Sequence, residues 1–262
     1  MFAAAAAARV IEDAVGGRAS LTWEEKGESD FVTEVDKAAE SAIANIIRTQ
    51  CPEAVIVGEE LSPDGSLKSR GISFIVDPLD GTTNFLHGYP EYSVSIAVTD
   101  GPDLVAGVVR NLTNAETFTA VRGGGAYLNG QRITVSRESN PVRALIGTGF
   151  PFKRHDLLEE YARQFVHVSR KTAGIRRAGS AALDLSNVAC GRFDGFWELV
   201  LAPWDIAAGV LIVREAGGIV TELDGAVKPI SHGSVVAGNP DIHPWLLRTV
   251  HAALDDQGLF TQ

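Results

Sequence analysis

The 262-residue chain is 45% hydrophobic and 21% charged, an ordinary globular balance. A chain of this size can bury roughly 70–75% of its unfolded surface. Its net charge of −10 argues against broad binding to nucleic acid or anionic membranes. No run approaches the roughly 18 apolar residues of a membrane span. The two cysteines, Cys51 and Cys190, lack C-x-x-C or zinc-ligand spacing, which points to a reduced, cytoplasmic setting.

Residues 3–16 predict an alanine-rich helix closed by Gly16 and Gly17. The run Ala3 to Ala8 has no basic segment ahead of it and meets Arg9, Glu12 and Asp13 at once, so it reads as a helix start, not a secretion signal. Lys26 and Asp30 fall in a polar loop. Thr33-Glu34-Val35-Asp36 has the form of a helix start with an acidic residue three after the Thr, and this helix runs to about Thr49. Asp36 there reads equally as an ordinary cap. Ala54–Val57 is strand-like and opens into Gly58-Glu59-Glu60, a place for metal-ligating carboxylates or for plain surface charge. Residues 61–71 read as a polar loop.

The apolar run Ser73–Val76 leads into Asp77-Pro78-Leu79-Asp80-Gly81-Thr82-Thr83-Asn84-Phe85. Asp77 and Asp80 stand three apart, stiffened by the fixed φ of Pro78. Two carboxylates and an intervening carbonyl form the hard oxygen set that Mg²⁺ prefers. Gly81, Thr82 and Thr83 offer amides and hydroxyls to an anion. Taken alone, the stretch also fits an Asp-rich turn with no ligand.

Strand-like runs follow at Tyr92–Thr99, Asp103–Arg110 and Ala115–Val121, with hairpin signals at Asp100-Gly101 and Asn129-Gly130. Gly123-Gly124-Gly125 lacks the strand–glycine–helix context of a nucleotide loop. The second half alternates: strands at Val142–Thr148, Thr172–Arg176, Arg192–Leu199, Ile219–Glu222 and Ser234–Ala237, and helices at Leu157–Val168, Ser180–Ala189, Ile206–Ala216 and about Pro240–Ala253. An antiparallel-rich half (about 1–140) and an alternating half (about 141–262) predict layered sheets with helices between them, in one domain without a linker.

Pro203-Trp204-Asp205 puts a carboxylate at a helix start, ahead of the small residues Ala207-Ala208-Gly209; an N-cap would look the same. Ser180 lacks a G-x-S-x-G setting and reads as a cap or hydrogen-bond donor, not a nucleophile. Glu198 ends a strand seven residues before Asp205, where plain strand-end charge is the alternative. The six histidines show no metal spacing.

Together, Gly58-Glu59-Glu60, the Asp77–Phe85 stretch and Trp204–Gly209 resemble the inositol monophosphatase family. Gly147-Thr148-Gly149-Phe150-Pro151-Phe152 and Gly179-Ser180-Ala181-Ala182-Leu183-Asp184-Leu185 resemble its bacterial inositol-1-monophosphatase branch, while the N-terminal helix is somewhat short for the family. The resemblance implies an α+β fold, a layered αβαβα sandwich of the inositol monophosphatase/fructose-1,6-bisphosphatase type. It further implies a homodimer and a lithium-sensitive phosphatase site using two to three Mg²⁺ ions. By the same resemblance Glu59, Asp77 and the Leu79 carbonyl hold one metal, and Asp77, Asp80 and Asp205 a second. Lys26 and Asp36 match outer positions of the site. Glu59, Thr82 and Asp36 match catalytic positions, with Thr82 placing the attacking water. The Gly81 and Thr82 amides match those that meet the phosphate, Asp80 and Asp205 match substrate-binding positions, and Gly179, Ser180, Ala181 and Glu198 match positions that contact the substrate's hydroxyls.

The chemistry agrees. Phosphate-monoester hydrolysis asks a catalyst for roughly 20 kcal/mol or more, and metal ions supply much of that by lowering the pKa of water and neutralising phosphoryl charge. Carboxylates sharing a pocket otherwise repel and raise one another's pKa. The substrate is thus a small phosphate ester, received by cations. Histidinol-phosphate relatives carry Arg-x-x-Gly-Asp, whereas Arg176-Arg177-Ala178-Gly179 is followed here by Ser180. Glu198 is the inositol-type arrangement, so inositol-1-phosphate ranks above fructose bisphosphate, histidinol phosphate and other sugar or nucleotide phosphates. A regulatory binding protein that keeps the fold is the alternative of another class.

Overall fold

The computed structural model describes residues 1–21, 23–27, 30–151, 154–227 and 230–255. Helix α1 (Phe2–Ala14) is followed by a ribbon of β1 (Glu24–Gly27) and β2 (Asp30–Val32), then by α2 (Glu34–Gln50). A seven-stranded sheet takes its strands in chain order. These are β3 (Val55–Gly58), β4 (Ile72–Asp80), β5 (Ser93–Asp100), β6 (Asp103–Asn111), β7 (Thr117–Val121), β8 (Gly125–Leu128) and β9 (Gln131–Ile133). The short helix α3 (Thr82–His87) joins β4 to β5. β3 pairs parallel to β4, and the remaining neighbours pair antiparallel.

The second half runs β10 (Leu145–Thr148), α4 (Leu158–Ser169), β11 (Gly174–Arg176), α5 (Ala181–Ala189), β12 (Gly195–Leu201), α6 (Pro203–Glu215), β13 (Ile219–Thr221), β14 (Gly233–Gly238) and α7 (Ile242–Asp255). Its five strands lie in the order β11-β10-β12-β14-β13.

Alternation along the strands builds the layers. On β4, Ile75 joins an apolar cluster with Leu185 of α5 and Ile212 of α6, while Val76 joins one with Ile11 of α1 and Ile43 of α2. On β12, Phe196 faces the α5–α6 cluster and Trp197 faces Tyr161 of α4 and Leu246 of α7. Successive side chains of a strand point to opposite faces. The order is therefore α1/α2, seven-stranded sheet, α5/α6, five-stranded sheet, α4/α7: an α+β sandwich of five layers. The small residues of α6 permit its central place. A Cβ on Gly209 would sit 2.7 Å from Leu185, and one on Gly107 of β6 would sit 3.1 Å from the Ala208 carbonyl.

Several elements differ from the sequence expectation. β4 continues through Pro78 to Asp80 because the proline falls in a bulge, where no ladder hydrogen bond from its nitrogen is required. Thr82–His87, read as a turn and its continuation, forms α3. The strand expected from Val142 begins at Leu145; Pro141–Arg143 makes a 3-10 turn whose Val142 amide donates to Asn140 Oδ1. The strand carrying Glu198 extends to Leu201, and α6 begins at Pro203, three residues earlier than expected. The Gly123 and Gly125 amides donate to the Glu215 carboxylate (2.8 Å each), so this glycine loop is bound by the protein itself.

Candidate active site

Asp77 pairs with Ser95 and Asp80 with Ser93 across the β4–β5 ladder. Three steps on one strand match two on the other, so one extra residue bulges out. In a regular strand, residues three apart face opposite sides; the bulge returns both carboxylates to the same side. That side is the one occupied by α5 and α6. The Ser95 hydroxyl donates to the Trp204 carbonyl at 3.3 Å, and Asp80 meets the start of α5.

Asp77 is buried, 1% exposed, and one of its oxygens accepts the Leu79 amide at 3.0 Å. Burial pushes its pKa well up, and the charges of Glu59, Asp80 and Asp205 push it further. Asp80 rises to about 6 through burial, opposed by the Ser180 hydroxyl (2.5 Å) and the Ala182 amide (2.9 Å), both donating to Oδ2. Asp205, in the first turn of α6, accepts the Ala202 amide at 2.7 Å. Glu59 follows β3 directly, its amide donating to the Val76 carbonyl at 3.2 Å. Carboxylates from the turn after β3, from β4 itself and from α6 thus act on Asp77.

The opposite wall comes from α2. Asp36 is 1% exposed; its Oδ2 accepts the Thr33 amide and hydroxyl, and its Oδ1 accepts the Thr82 hydroxyl at 2.8 Å. Burial raises its pKa, partly offset by these donors. Asp36 is therefore both the cap expected at this helix start and a partner of Thr82. The Thr82 hydroxyl also lies 3.0 Å from the Leu79 carbonyl. Gly81 precedes α3 with φ 94°, a left-handed value, and an added Cβ would come 2.9 Å from the Glu91 carbonyl. Both facts call for glycine.

The start of α5 is tied to the same place. Ser180 caps α5, accepting the Leu183 amide at 3.3 Å while donating to Asp80. Asn84 Nδ2 donates to the Glu91 and Ala178 carbonyls, fixing α3 to the segment that carries Gly179, Ser180 and Ala181. Glu198 occupies a neighbouring recess. A Cβ on Gly149 would meet its carboxylate at 2.0 Å, and its charge acts on Asp184 and Tyr161. The Arg177 guanidinium lies 4.9 Å from the centre of the Phe150 ring beside it. Asp80 also acts on Asp184, linking the recess to the carboxylate cluster. The side chain of Lys26 and the residue Phe152 lie outside the described residues.

Two acidic residues of this region carried no role in the sequence reading. Asp184 is 1% exposed, its Oδ1 meets no hydrogen-bond donor, and burial raises its pKa well above the carboxylate range. Glu40 is equally buried and binds the turn that follows β3. An acid inside the apolar run Ala181–Leu185, and an acid one helical turn after Asp36, were the signals for them.

Among the described residues, no three acidic, His or Cys side chains are gathered tightly enough to hold a metal ion as they stand. Asp77, Asp80 and Asp205 each turn an oxygen onto a protein donor. The donor set nevertheless fits a hard divalent cation. It comprises buried carboxylate oxygens and the Leu79 carbonyl, which keeps a second lone pair beside Thr82. Burying several like charges without a cation is costly.

Such a layered fold, with carboxylates of the seven-stranded sheet and of α6 brought to one buried place, defines a class of phosphatase scaffolds. The model of the inositol monophosphatase family matches residues 1–255, and the chain belongs to that family. It is 46% identical over 237 residues to Nus factor SuhB of Pseudomonas aeruginosa, covering 89% of this chain and 88% of that protein. It is 45% identical over 221 residues to inositol-1-monophosphatase of Rhizobium meliloti, covering 83% and 81%. Among solved structures, extragenic suppressor protein suhB from Bartonella henselae superposes with a TM-score of 0.89 at 40% identity, covering 98% of this chain and 96% of that one. Family and relatives support a phosphatase, in a family that is generally metal-dependent. No helix among the described residues is long and apolar enough to cross a membrane.

Proposed function

We propose that this protein is a Mg²⁺-dependent phosphomonoester hydrolase whose substrate is inositol-1-phosphate, released as myo-inositol and phosphate. The observation that carries the reading is the buried Asp77 carboxylate with the charges of Glu59, Asp80 and Asp205 upon it. In this reading Glu59, Asp77 and the Leu79 carbonyl hold one ion, Asp77, Asp80 and Asp205 a second, and Lys26 and Asp36 an outer position, for two to three ions in all. Bound ions supply Lewis-acid charge to the phosphoryl oxygens and lower the pKa of water.

The chain's own groups do the rest. Asp36 accepts the Thr82 hydroxyl hydrogen, which directs a Thr82 lone pair towards an attacking water and orients it. The Gly81 and Thr82 amides bind phosphate oxygens, and the rigid turn at Gly81 holds them in place. Gly179, Ser180, Ala181 and Glu198 receive the substrate's hydroxyls, Glu198 as acceptor. The two halves of the chain form one catalytic unit in this reading, and the protein works as a homodimer.

The test is phosphate release from inositol-1-phosphate, histidinol phosphate, fructose-1,6-bisphosphate and 3′-phosphoadenosine 5′-phosphate, each with Glu198→Gln as the comparison. Preference for inositol-1-phosphate, lost in the variant, supports the assignment. Preference for another ester, untouched by the variant, overturns the substrate while leaving the phosphatase. A second reading is favoured by the name of the Pseudomonas aeruginosa relative, Nus factor SuhB. In that reading the protein binds a macromolecular partner and acts as a factor, with or without hydrolysis. Metal binding without turnover of any phosphate ester supports it.

A further inference from the structure

We propose that Glu40 is a positioning residue that sets the place of Glu59, so that one face of α2 governs both ends of the active site. The proposal rests on the reading of Glu59 as a metal ligand. Glu40 lies one helical turn after Asp36, a spacing that puts both side chains on the same face of α2. Asp36 reaches forward to Thr82; Glu40 reaches sideways to the turn after β3. Its Oε2 accepts the Glu60 amide at 2.7 Å and its Oε1 accepts the Leu61 amide at 3.1 Å.

Glu59 is thereby fixed on both sides. Its own amide is bound to the Val76 carbonyl, next to Asp77, and the two amides that follow it are bound to Glu40. The Ser62 hydroxyl closes the turn, accepting the Gly58 amide at 3.1 Å and donating to the Ile56 carbonyl at 3.0 Å. Gly58 completes the fit. A Cβ there would stand 2.0 Å from Glu40 Oε1 and 2.5 Å from Cδ, so the carboxylate occupies the space a side chain at 58 would take. Two amides need two acceptor oxygens in a fixed plane, which a carboxylate offers. A glutamine keeps the size but turns an NH₂ towards one amide, setting donor against donor.

The experiment is Mn²⁺ binding to the chelator-treated protein, read by calorimetry, alongside the urea midpoint of each variant. Glu40→Gln is expected to weaken Mn²⁺ binding about 10- to 100-fold, the usual effect of removing a group that orients a metal ligand. Gly58→Ala, which displaces the same carboxylate, is expected to weaken it likewise, and the double variant to lose less than the two singles combined. Asp194→Asn is the control for lost stability. Asp194 is another buried carboxylate, accepting the Leu145 amide and the Ser136 hydroxyl away from the turn, and its variant is expected to bind Mn²⁺ as the wild type does.

Wild-type affinity in Gly58→Ala overturns the proposal, whether or not Glu40→Gln folds. An equal loss in Asp194→Asn also overturns it, since the effect would then follow stability alone. Wild-type protein that binds no Mn²⁺, or binding that survives Asp77→Asn, contradicts the cation site itself and takes the proposal with it.

Discussion

The Thr82 hydroxyl lies 2.8 Å from Asp36 Oδ1, a hydrogen bond across 46 residues that joins α3 to α2. Asp36 has only two oxygens, and Oδ2 is already taken by Thr33. In Asp36→Asn the single remaining carbonyl oxygen cannot serve both sides, so the Thr82 hydroxyl loses its direction. The expected result is a roughly 10²-fold fall in kcat with KM little changed. A cost of about 1 kcal/mol from the weakened helix cap should accompany it, measured by urea unfolding.

The buried carboxylates give stability an unusual pH dependence. Asp80 titrates at about 6 in the fold, and Asp36, Asp77 and Asp184 are also raised. A folded pKa above the unfolded value means that the folded state binds more protons in between. The contribution is therefore present at low pH and lost as pH rises through the folded value. Chelator-treated protein should show a urea midpoint that falls from about pH 4 to about pH 6, the interval between the ordinary and folded values of Asp80, with the other raised groups acting in the same direction. Added Mg²⁺ should oppose the fall at the upper end and act weakly at the lower, because protons compete for the same oxygens.

Gly149 leaves room for Glu198. The Cβ of Gly149→Ala would stand 2.0 Å from the Glu198 carboxylate, which must then move. KM for inositol-1-phosphate is expected to rise about 10-fold, equal to ~1.4 kcal/mol of binding. An ester without a polyol, such as p-nitrophenyl phosphate, should be affected less.

Val200 has φ 57°, a left-handed value that a β-branched residue seldom takes, at the bulge between Glu198 and Leu201. Its side chain is 40% exposed, so little packing depends on it. The strain costs ~1–2 kcal/mol, and the loss of chain entropy for glycine is about 0.5–1 kcal/mol. Val200→Gly should therefore raise the urea midpoint slightly, whereas Val200→Ala, which keeps the Cβ, should not.

What could be read from the sequence was local. Asp77, Asp80 and Gly81 stand within five residues, Gly58-Glu59 ends a recognisable strand, and Asp205 opens a helix of small residues. Spacing offered these only as candidates, each beside a plain structural reading, and the resemblance to the family joined them into one site. The β4–β5 bulge was not legible, because it is defined by which residue of β5 stands opposite each aspartate. Thr82 and Asp36 meet only after α2 docks on the sheet. Glu40 looked like one more charge on an amphipathic helix until the turn after β3 came to lie against it. Asp184 is concealed for the reverse reason: its apolar neighbours mark a buried helix, and burial gives no hint of the carboxylates nearby. α6 starts three residues before the expected Ile206 because Pro203 suits a first helical turn, where its missing N–H leaves no intrahelical bond unmade.

The most direct measurement is phosphate release from inositol-1-phosphate as Mg²⁺ is titrated into chelator-treated protein, for the wild type and Asp80→Asn. The account expects no turnover without the ion, saturable activation as it is added, and little or no activity in the variant at any Mg²⁺ concentration. Turnover that persists in chelator, or an Asp80→Asn variant as active as the wild type, would contradict the claim that these buried carboxylates form a catalytic cation site.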